Sequence, residues 1–440
     1  MKVAVVGSGY VGLTTALSFC YHKHKVLVHD INQNKVDKLK NGIPTFYESG
    51  LENLLKKQIQ KKNIFFTSSF SEMFNFSKII FVCVGTPSIK NGNANLEQIT
   101  NILKIAKKEI RKENNIKKII VIKSTVPPKT TENFDKNFGK RNLSSQLYFA
   151  SNPEFLREGS ALSDSLNPDR VVIGCKENFV KKELNKLYKN FKTKNFFTNF
   201  KTAELAKYCN NYLLACLISA SNEIANLSKN LRNIDFDLLL DTIKEDRRWN
   251  TKDKANPYPK IHNYLIPGPG FGGSCFSKDL KALNYLNNQH RNPNSINKAI
   301  LKTNSLQYLQ LIKELKKIKT IKKNKKILIL GLSFKENTSD IRESRTIPLV
   351  DYLKNRIRIF LYKDLGFNNF KHKVPESKTI KYIDKIHKIK FDTVIIMNRD
   401  RKFTKIIKKT LKINPKCNIF DTRGLIKIND YMKIKNYFRY

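Results

Sequence analysis

A chain of 440 residues with 40% apolar side chains is long enough for two or three domains with real cores. No apolar run approaches the roughly 20 residues of a membrane span, and glycines break the N-terminal "MKVAVVGSGYVG" too early for a signal peptide, so it reads as a strand and turn. The formal net charge of +46 permits a polyanion partner, but the lysines are spread along the whole chain with no aromatic-interleaved basic motif; a solvated lysine-rich surface accounts for them, and neither nucleic acid nor membrane is an expected partner.

Residues 1–200 alternate short apolar runs with helical stretches. "KVAVVG", "KVLVHD", "KIIFVCVGTP", "KKIIVIKSTVP", "LYFASNPEF" and "RVVIG" are rich in Val and Ile and end in turn residues, the pattern of buried parallel strands in an α/β sheet. A Gly- and Pro-free helical segment follows at 202–231. A loop around Trp249 and the stretch "GPGFGGSCFSKD" (268–279) come next. A second α/β pattern starts at "KKILILGLSF" and runs through "RIFLYKD", "FDTVIIMN" and "CNIFDTRG". The expected fold class is α/β: an N-terminal Rossmann-type parallel sheet, a central long helix, and a second, smaller Rossmann-like domain.

"VAVVGSGYVG" sets Gly7, Gly9 and Gly12 in GxGxxG spacing between a strand and a helix, and the next strand ends in Asp30. Gly7 makes the tight turn, Gly9 admits a pyrophosphate, and Gly12 lets the helix pack on the sheet. Asp30 accepts from ribose hydroxyls and repels a 2′-phosphate, which favours NAD over NADP. "VGTP" and "KSTVPP" end later strands, so Thr86 and Thr125 are either cofactor contacts or plain strand-end caps.

Glu154 and Glu158 of "NPEFLREGSA" share a face if that segment is helical; the pair suits acid/base work, or is a solvated helix start. Lys207 and Asn211 share a face of the long helix, aimed at an oxyanion or forming an exposed polar stripe. In "GPGFGGSCFSKD" four glycines approach Cys275, with Lys278 and Asp279 just beyond; the stretch holds a reactive thiol or is a glycine-rich turn. Seven cysteines with no CxxC pair and no metal-type spacing point to reduced thiols, a cytoplasmic compartment and no metal.

The chain resembles the UDP-glucose/GDP-mannose dehydrogenase family over nearly its full length. "GSGYVG", "KSTVPP", "NPEFLREGSA", "AELAKYCNN", "GPGFGGSCFSKD" and "FKENTSDIRES" stand in the family's order. Ser274 precedes the cysteine where N-acetylhexosamine members tend to carry histidine, so the version here is most similar to members that act on UDP-glucose. The resemblance implies an NAD-binding domain over 1–200, a central dimerisation domain with the cysteine loop over 201–315, and a nucleotide-sugar domain over 316–440. It implies NAD as cofactor, UDP-glucose as substrate, a homodimer, and oxidation of a C6 alcohol to the acid.

Site roles follow by matching position. Cys275 is the nucleophile. Lys207 and Asn211 hold the oxyanion, Asp279 with Thr125 positions a water or acts as base, and Glu154 assists thioester hydrolysis. Gly7, Gly9, Tyr10, Val11, Gly12, Asp30, Lys35, Thr86, Thr125, Glu158, Lys278 and Arg342 match cofactor contacts. Glu154, Phe155, Leu156, Arg157, Lys207, Asn211, Arg248, Tyr264, Leu265, Ile266, Pro267, Gly268, Gly272, Lys335 and Arg423 match substrate contacts. Two departures touch the nucleotide and sugar site: residues 247–264 are longer than usual, and "LYKD" lacks the acidic-proline ending. Other nucleotide sugars, UDP-N-acetylhexosamine or GDP-mannose, are the alternative substrates. A non-catalytic, polyanion-binding Rossmann protein is the alternative of another class.

Overall fold

The computed structural model describes the chain apart from residues 113–114, 140–145, 232–233, 250–259, 323–324, 387–388, 427–433, 435 and 440. The chain divides into two compact units: residues 1–210 with 281–291, and residues 211–280 with 292–440.

The first unit is an eight-stranded sheet flanked by helices. In chain order it runs β1 (Lys2–Val6), α1 (Tyr10–Tyr21), β2 (Lys25–His29), α2 (Gln33–Lys40), α3 (Leu51–Gln60), β3 (Ile64–Thr67), α4 (Phe70–Phe76), β4 (Ile79–Val82), α5 (Glu97–Ile110), β5 (Lys117–Ile122), α6 (Thr130–Phe138), β6 (Gln146–Ser151), α7 (Ala161–Leu166), β7 (Arg170–Cys175), α8 (Asn178–Leu187) and β8 (Lys194–Thr198). The strand order is β3-β2-β1-β4-β5-β6-β7-β8. The strands read as unbroken apolar runs because both faces are covered. Val3 and Val5 of β1 join the core under α1, while Ala4 and Val6 join the opposite core with α5. Ile99, Leu103, Ala106 and Ile110 line one face of α5 at helical spacing and are buried. Each of the larger ones contributes about 1.5–3 kcal/mol by leaving water.

Two strands depart from the expected parallel sheet, β7 and β8, which pair parallel to each other. β7 pairs antiparallel to β6. The connection from 152 to 169 holds only the six-residue α7, which packs on α1, so the chain re-enters the sheet in the opposite direction.

The long helix α9 (Phe200–Leu231) starts in the first unit and ends in the second. The second unit continues with α10 (Phe236–Glu245), the cysteine loop, the start of α11 (Phe276–Gln289) and α12 (Ser295–Lys317). A second sheet follows: β9 (Lys326–Leu330), α13 (Thr346–Leu353), β10 (Arg358–Tyr362), α14 (Phe367–Lys373), β11 (Ile380–Ile383), β12 (Thr393–Ile396), α15 (Phe403–Ile413), β13 (Asn418–Asp421) and β14 (Tyr437–Arg439). Its order, β11-β10-β9-β12-β13-β14, repeats the first six strands of the other sheet, and all its pairs are parallel. Both sheets therefore reverse direction of growth beside their first strand, where open α/β sheets bind ligands. No described helix is long and apolar enough to cross a membrane.

Candidate active site

The turn between β1 and α1 is built around two glycines. Gly7 has φ +97°, and a Cβ on Gly12 would lie 1.8 Å from the Gly7 carbonyl oxygen. Nothing lies within 4 Å of a Cβ placed on Gly9, so its backbone faces open space. The first turn of α1 has no acid and no side-chain cap, which leaves the amides of Tyr10 and Val11 suited to a pyrophosphate.

Asp30 follows β2 directly. Its Oδ2 accepts the Ser8 amide at 3.0 Å and the Ser8 hydroxyl at 2.5 Å, and its Oδ1 accepts the Asn32 amide at 3.0 Å. A carboxylate offers about four acceptor positions, so room remains for a ribose hydroxyl. Burial pushes this carboxyl up; the Ser8 hydroxyl, the amides and Lys35 outweigh it and hold it below its ordinary value. A fixed anion at this point suits a dinucleotide with a free 2′-hydroxyl. Replacing Asp30 with alanine is expected to raise the KM for NAD about tenfold to a hundredfold, the range of a lost charged hydrogen bond, with a smaller change for NADP. Comparable kcat/KM of the unaltered enzyme with both cofactors contradicts this assignment.

The end of β4 meets this turn, where a Cβ on Gly7 would lie 2.9 Å from the Cys83 carbonyl oxygen. The Thr86 hydroxyl donates to the Thr125 carbonyl at 2.7 Å. The Tyr10 hydroxyl donates to the buried Glu48 carboxylate and accepts the Gly159 amide at 2.7 Å, which brings Glu158 beside the glycine turn. Lys35 is exposed on α2.

Residues 152–160 form an irregular loop, so Glu154 and Glu158 do not share a helical face. The loop sends them to different partners. Glu154 accepts the Lys207 ammonium at 3.0 Å, with both side chains under 10% exposed, and also accepts the Leu156 amide at 2.5 Å. Of the two readings of Lys207 and Asn211, the exposed stripe does not hold, since both side chains are buried. Beneath the pair, the Lys123 ammonium and the Tyr188 hydroxyl both donate to Asn152, at 3.1 and 2.6 Å. Burial pushes the Lys123 ammonium down, and it pushes the neighbouring Cys83 thiol up to about 12. Phe155 lies under the Arg170 guanidinium at 4.0 Å, and Arg157 pairs with Asp164 at 2.5 Å.

In the second unit, Cys275 precedes the first turn of α11, where its carbonyl accepts the Asp279 amide at 2.8 Å. Ser274 Oγ lies 3.4 Å from its sulfur. Asp279 is 1% exposed; Asn211 donates to it at 2.7 Å and Lys278 at 2.5 Å. Lys278, matched to a cofactor contact by the family resemblance, pairs here with the carboxylate next to it in sequence.

The glycines before Cys275 have a packing cause. A Cβ on Gly270, at φ +103°, would lie 2.5 Å from Asn304 Oδ1, and one on Gly272 would lie 2.5 Å from the Glu343 carbonyl. Side chains from several elements pin the loop. Asn222 accepts the Gly268 amide at 2.8 Å, Asn304 accepts the Phe271 amide at 2.8 Å, and Arg345 donates twice to the Phe271 carbonyl, at 3.0 and 2.9 Å. Ser221 donates to the Leu265 carbonyl, and the Gly273 amide donates to the Arg342 carbonyl at 2.8 Å. Arg423 Nη2 donates to the Gly270 carbonyl at 3.0 Å, and burial pushes its guanidinium down to about 10. Through the backbone segment 264–268 the loop also carries Tyr264, Ile266 and Pro267, half-buried or buried.

Sequence reasoning missed Asn222, Asn304, Arg345 and Glu48. For Asn222 and Asn304 the available signal was a polar residue on an otherwise apolar helix face, as in "LISASNEIANL"; Arg345 and Glu48 lie outside the helices and carried none. The side chains at three matched arginine and lysine positions have these neighbours. Arg248 is exposed and pairs with Asp246 at 2.6 Å; Arg342 is exposed and pairs with Asp340 at 2.7 Å; Lys335 lies over the Phe334 ring at 5.7 Å. The longer stretch after Trp249 lies largely outside the described residues. In "LYKD", Asp364 accepts the Leu332 and Gly366 amides at 2.7 and 2.8 Å, much as Asp30 accepts the Ser8 amide in the first sheet. Among the described residues no cluster of three or more metal-ligating side chains occurs.

Residues 1–192 match the UDP-glucose/GDP-mannose dehydrogenase family's NAD binding domain, 201–306 its central domain, and 328–428 its UDP binding domain. The chain belongs to the UDP-glucose/GDP-mannose dehydrogenase family. It is therefore an NAD-dependent oxidoreductase, and the glycine turn with Asp30 lies within the residues matched to the NAD binding domain. The family's UDP-glucose 6-dehydrogenase YwqF of Bacillus subtilis (strain 168) is 34% identical over 86% of this chain and 82% of its own length. A UDP-glucose 6-dehydrogenase of Rickettsia prowazekii (strain Madrid E) is 33% identical over 100% of this chain and 98% of its own. Among solved structures, a UDP-glucose dehydrogenase from Pyrobaculum islandicum superposes with a TM-score of 0.87 at 29% identity, covering 99% of this chain and 96% of that one.

Proposed function

We propose that this family member oxidises the C6 hydroxyl of UDP-glucose to the carboxylate of UDP-glucuronate through a covalent adduct on Cys275. The observation that carries the reading is the cysteine loop. It is fixed backbone to side chain by Asn222, Asn304 and Arg345, and it ends in a thiol at the N-terminus of α11, next to a buried Asp279. When bound, NAD supplies the hydride acceptor for both oxidations, one cofactor for each.

The residues then divide the work. Asp279, held by Asn211 and Lys278, takes the alcohol proton in the first oxidation. The Cys275 sulfur adds to the aldehyde carbon, and Lys207 and Asn211 stabilise the oxyanion of the thiohemiacetal. Loss of a hydride and a proton gives the thioester. Glu154 activates the water that breaks the C–S bond, which returns the thiol and releases the acid. The position at a helix N-terminus favours negative charge on the sulfur. Ser274 beside the thiol supports UDP-glucose over N-acetylated sugars. Incubating the enzyme with UDP-glucose, UDP-N-acetylhexosamines and GDP-mannose while following NADH absorbance tests the substrate; two NADH per UDP-glucose is the expected yield.

The chain's thiols and its lack of any described membrane-crossing helix suit a cytoplasmic enzyme. A homodimer is supported by α9. Leu205, Leu213, Ile224, Leu227 and Leu231 are 39–64% exposed and recur at helical spacing, an apolar stripe that a second copy would cover. The double substitution Leu213→Glu and Leu227→Glu is expected to convert a dimer into a monomer by light scattering. A monomeric unaltered protein at working concentration contradicts the assignment.

A further inference from the structure

α6 begins without a cap of its own. Lys129, at its N-cap position with φ +78°, makes no side-chain cap. The first amides of a helix need partners, and here one comes from another helix. Glu204 of α9, only 2% exposed, accepts the Thr131 amide at 2.7 Å; the Lys129 amide also faces its carboxyl. A carboxyl oxygen here supplies the acceptor that these first amides lack. A second tie lies at the surface, where Lys201 pairs with Glu132 at 3.1 Å. The first turns of α6 and α9 are thus joined twice.

Both helices lead directly to residues assigned to the reaction. The segment entering α6 carries Thr125, whose carbonyl is held by Thr86. Three residues beyond Glu204, α9 carries Lys207 on Glu154. We propose that Glu204 is a positioning residue: by capping α6 from α9 it fixes the Thr125 segment relative to the Lys207–Glu154 pair. The inference rests on the function proposed above.

The arrangement also couples to pH. Burial is the largest influence on Glu204 and raises its carboxyl from 4.5 to about 7, against the pull of Thr131 and the Lys129 amide. Glu132 of α6 repels it; Lys201, Lys136 and Lys176 in turn draw on Glu132. An opened α6 would leave the carboxyl near its ordinary value. Closure is therefore favoured by protonation: its contribution is fully present below about pH 4.5 and is lost as pH rises through about 7.

Two substitutions separate the roles. Glu204→Met keeps the volume without an acceptor; Glu204→Gln keeps the acceptor without the charge. The expected result is a kcat about tenfold lower in the Met variant, the scale of a lost cap or a misplaced catalytic group, with the KM for NAD within about twofold. The Gln variant should stay within about threefold of wild type. Hydrogen exchange of residues 124–138, corrected for intrinsic rate, should show protection that falls between pH 6 and 8 in the wild type, is pH-independent in Gln, and is low at both values in Met. Unchanged kcat in Met overturns the proposal whether or not protection is lost, and so does a Gln variant as slow as Met. Unchanged exchange in Met overturns the capping route. If Met does not fold, the wild-type and Gln exchange profiles still decide the cap, and the Gln kcat decides the positioning. If the wild type oxidises a different nucleotide sugar, the substrate reading fails alone, and the same comparison runs on that sugar.

Discussion

Cys275→Ala is expected to lose uronate formation by at least about a thousandfold, the scale of removing an enzymic nucleophile, while NAD still binds. The two effects separate because they rest on different residues. The cofactor fingerprint is Gly7, Gly9, Gly12 and Asp30 between β1 and β2, whereas the thiol precedes α11. Without the sulfur, an aldehyde formed by the first oxidation has no covalent anchor for the second. The variant should then give at most about one NADH per substrate where the wild type gives about two. Isothermal titration with NAD and quantified NADH yield measure both. Alkylation supplies a second line. Cys20, Cys83 and Cys417 are buried, and burial pushes the Cys83 and Cys417 thiols up to about 12, so they should react slowly. Cys209, however, is exposed on α9. Protection by UDP-glucose must therefore be read at Cys275 by peptide mass spectrometry, not from total thiol loss. Near wild-type uronate production by Cys275→Ala sinks the covalent route.

Much of this architecture is written in the sequence as periodicity. Strands buried on both faces, such as "KVAVV" and "KILIL", are continuous apolar runs and announce themselves. The strands that escape notice are at or near the sheet edges and are short: β3, β8, β11 and β14 have three to five residues, several of them half-exposed and next to lysines. The reversal at β7 is hidden for another reason. Strand direction depends on where a connection ends, and nothing in the composition of 152–169 encodes that.

The site shows the same division. Residue types at fixed spacing, Gly7 to Gly12 or Cys275 to Asp279, carry their own signal. Partners do not. A sequence places Glu154 and Glu158 four apart and suggests one face, yet an irregular loop sends one to Lys207 and the other toward Tyr10. Asn222 and Asn304 lie 46 and 33 residues from the backbone amides they hold. Such long-range satisfaction of buried polar groups follows from the fold, not from local pattern.

Glu154→Gln is expected to slow turnover by about a hundredfold to ten-thousandfold, the range for a lost general base, and to do so after the carbon has been oxidised. The Glu154 carboxylate sits buried on the Lys207 ammonium at 3.0 Å, oriented by the Leu156 amide at 2.5 Å. A carboxylate so placed can accept a proton from water; the amide of glutamine cannot. In the proposed mechanism the alcohol's proton goes elsewhere, to Asp279, which Asn211 and Lys278 hold in the second unit. The first oxidation should therefore proceed, and the thioester should accumulate. Rapid quench with intact-protein mass spectrometry should show the UDP-glucuronyl adduct on Cys275 in this variant and little of it in the wild type. The substitution also leaves the Lys207 ammonium buried without its charged partner, a change that costs roughly 3–5 kcal/mol in comparable buried pairs. A fall in melting temperature is thus expected alongside the kinetic defect. Glu154→Gln with Lys207→Met removes both charges; it should recover part of that stability but none of the deacylation rate. A Glu154→Gln enzyme that is slow, folded and free of adduct assigns the carboxylate to an earlier step, and one that turns over normally removes it from the chemistry.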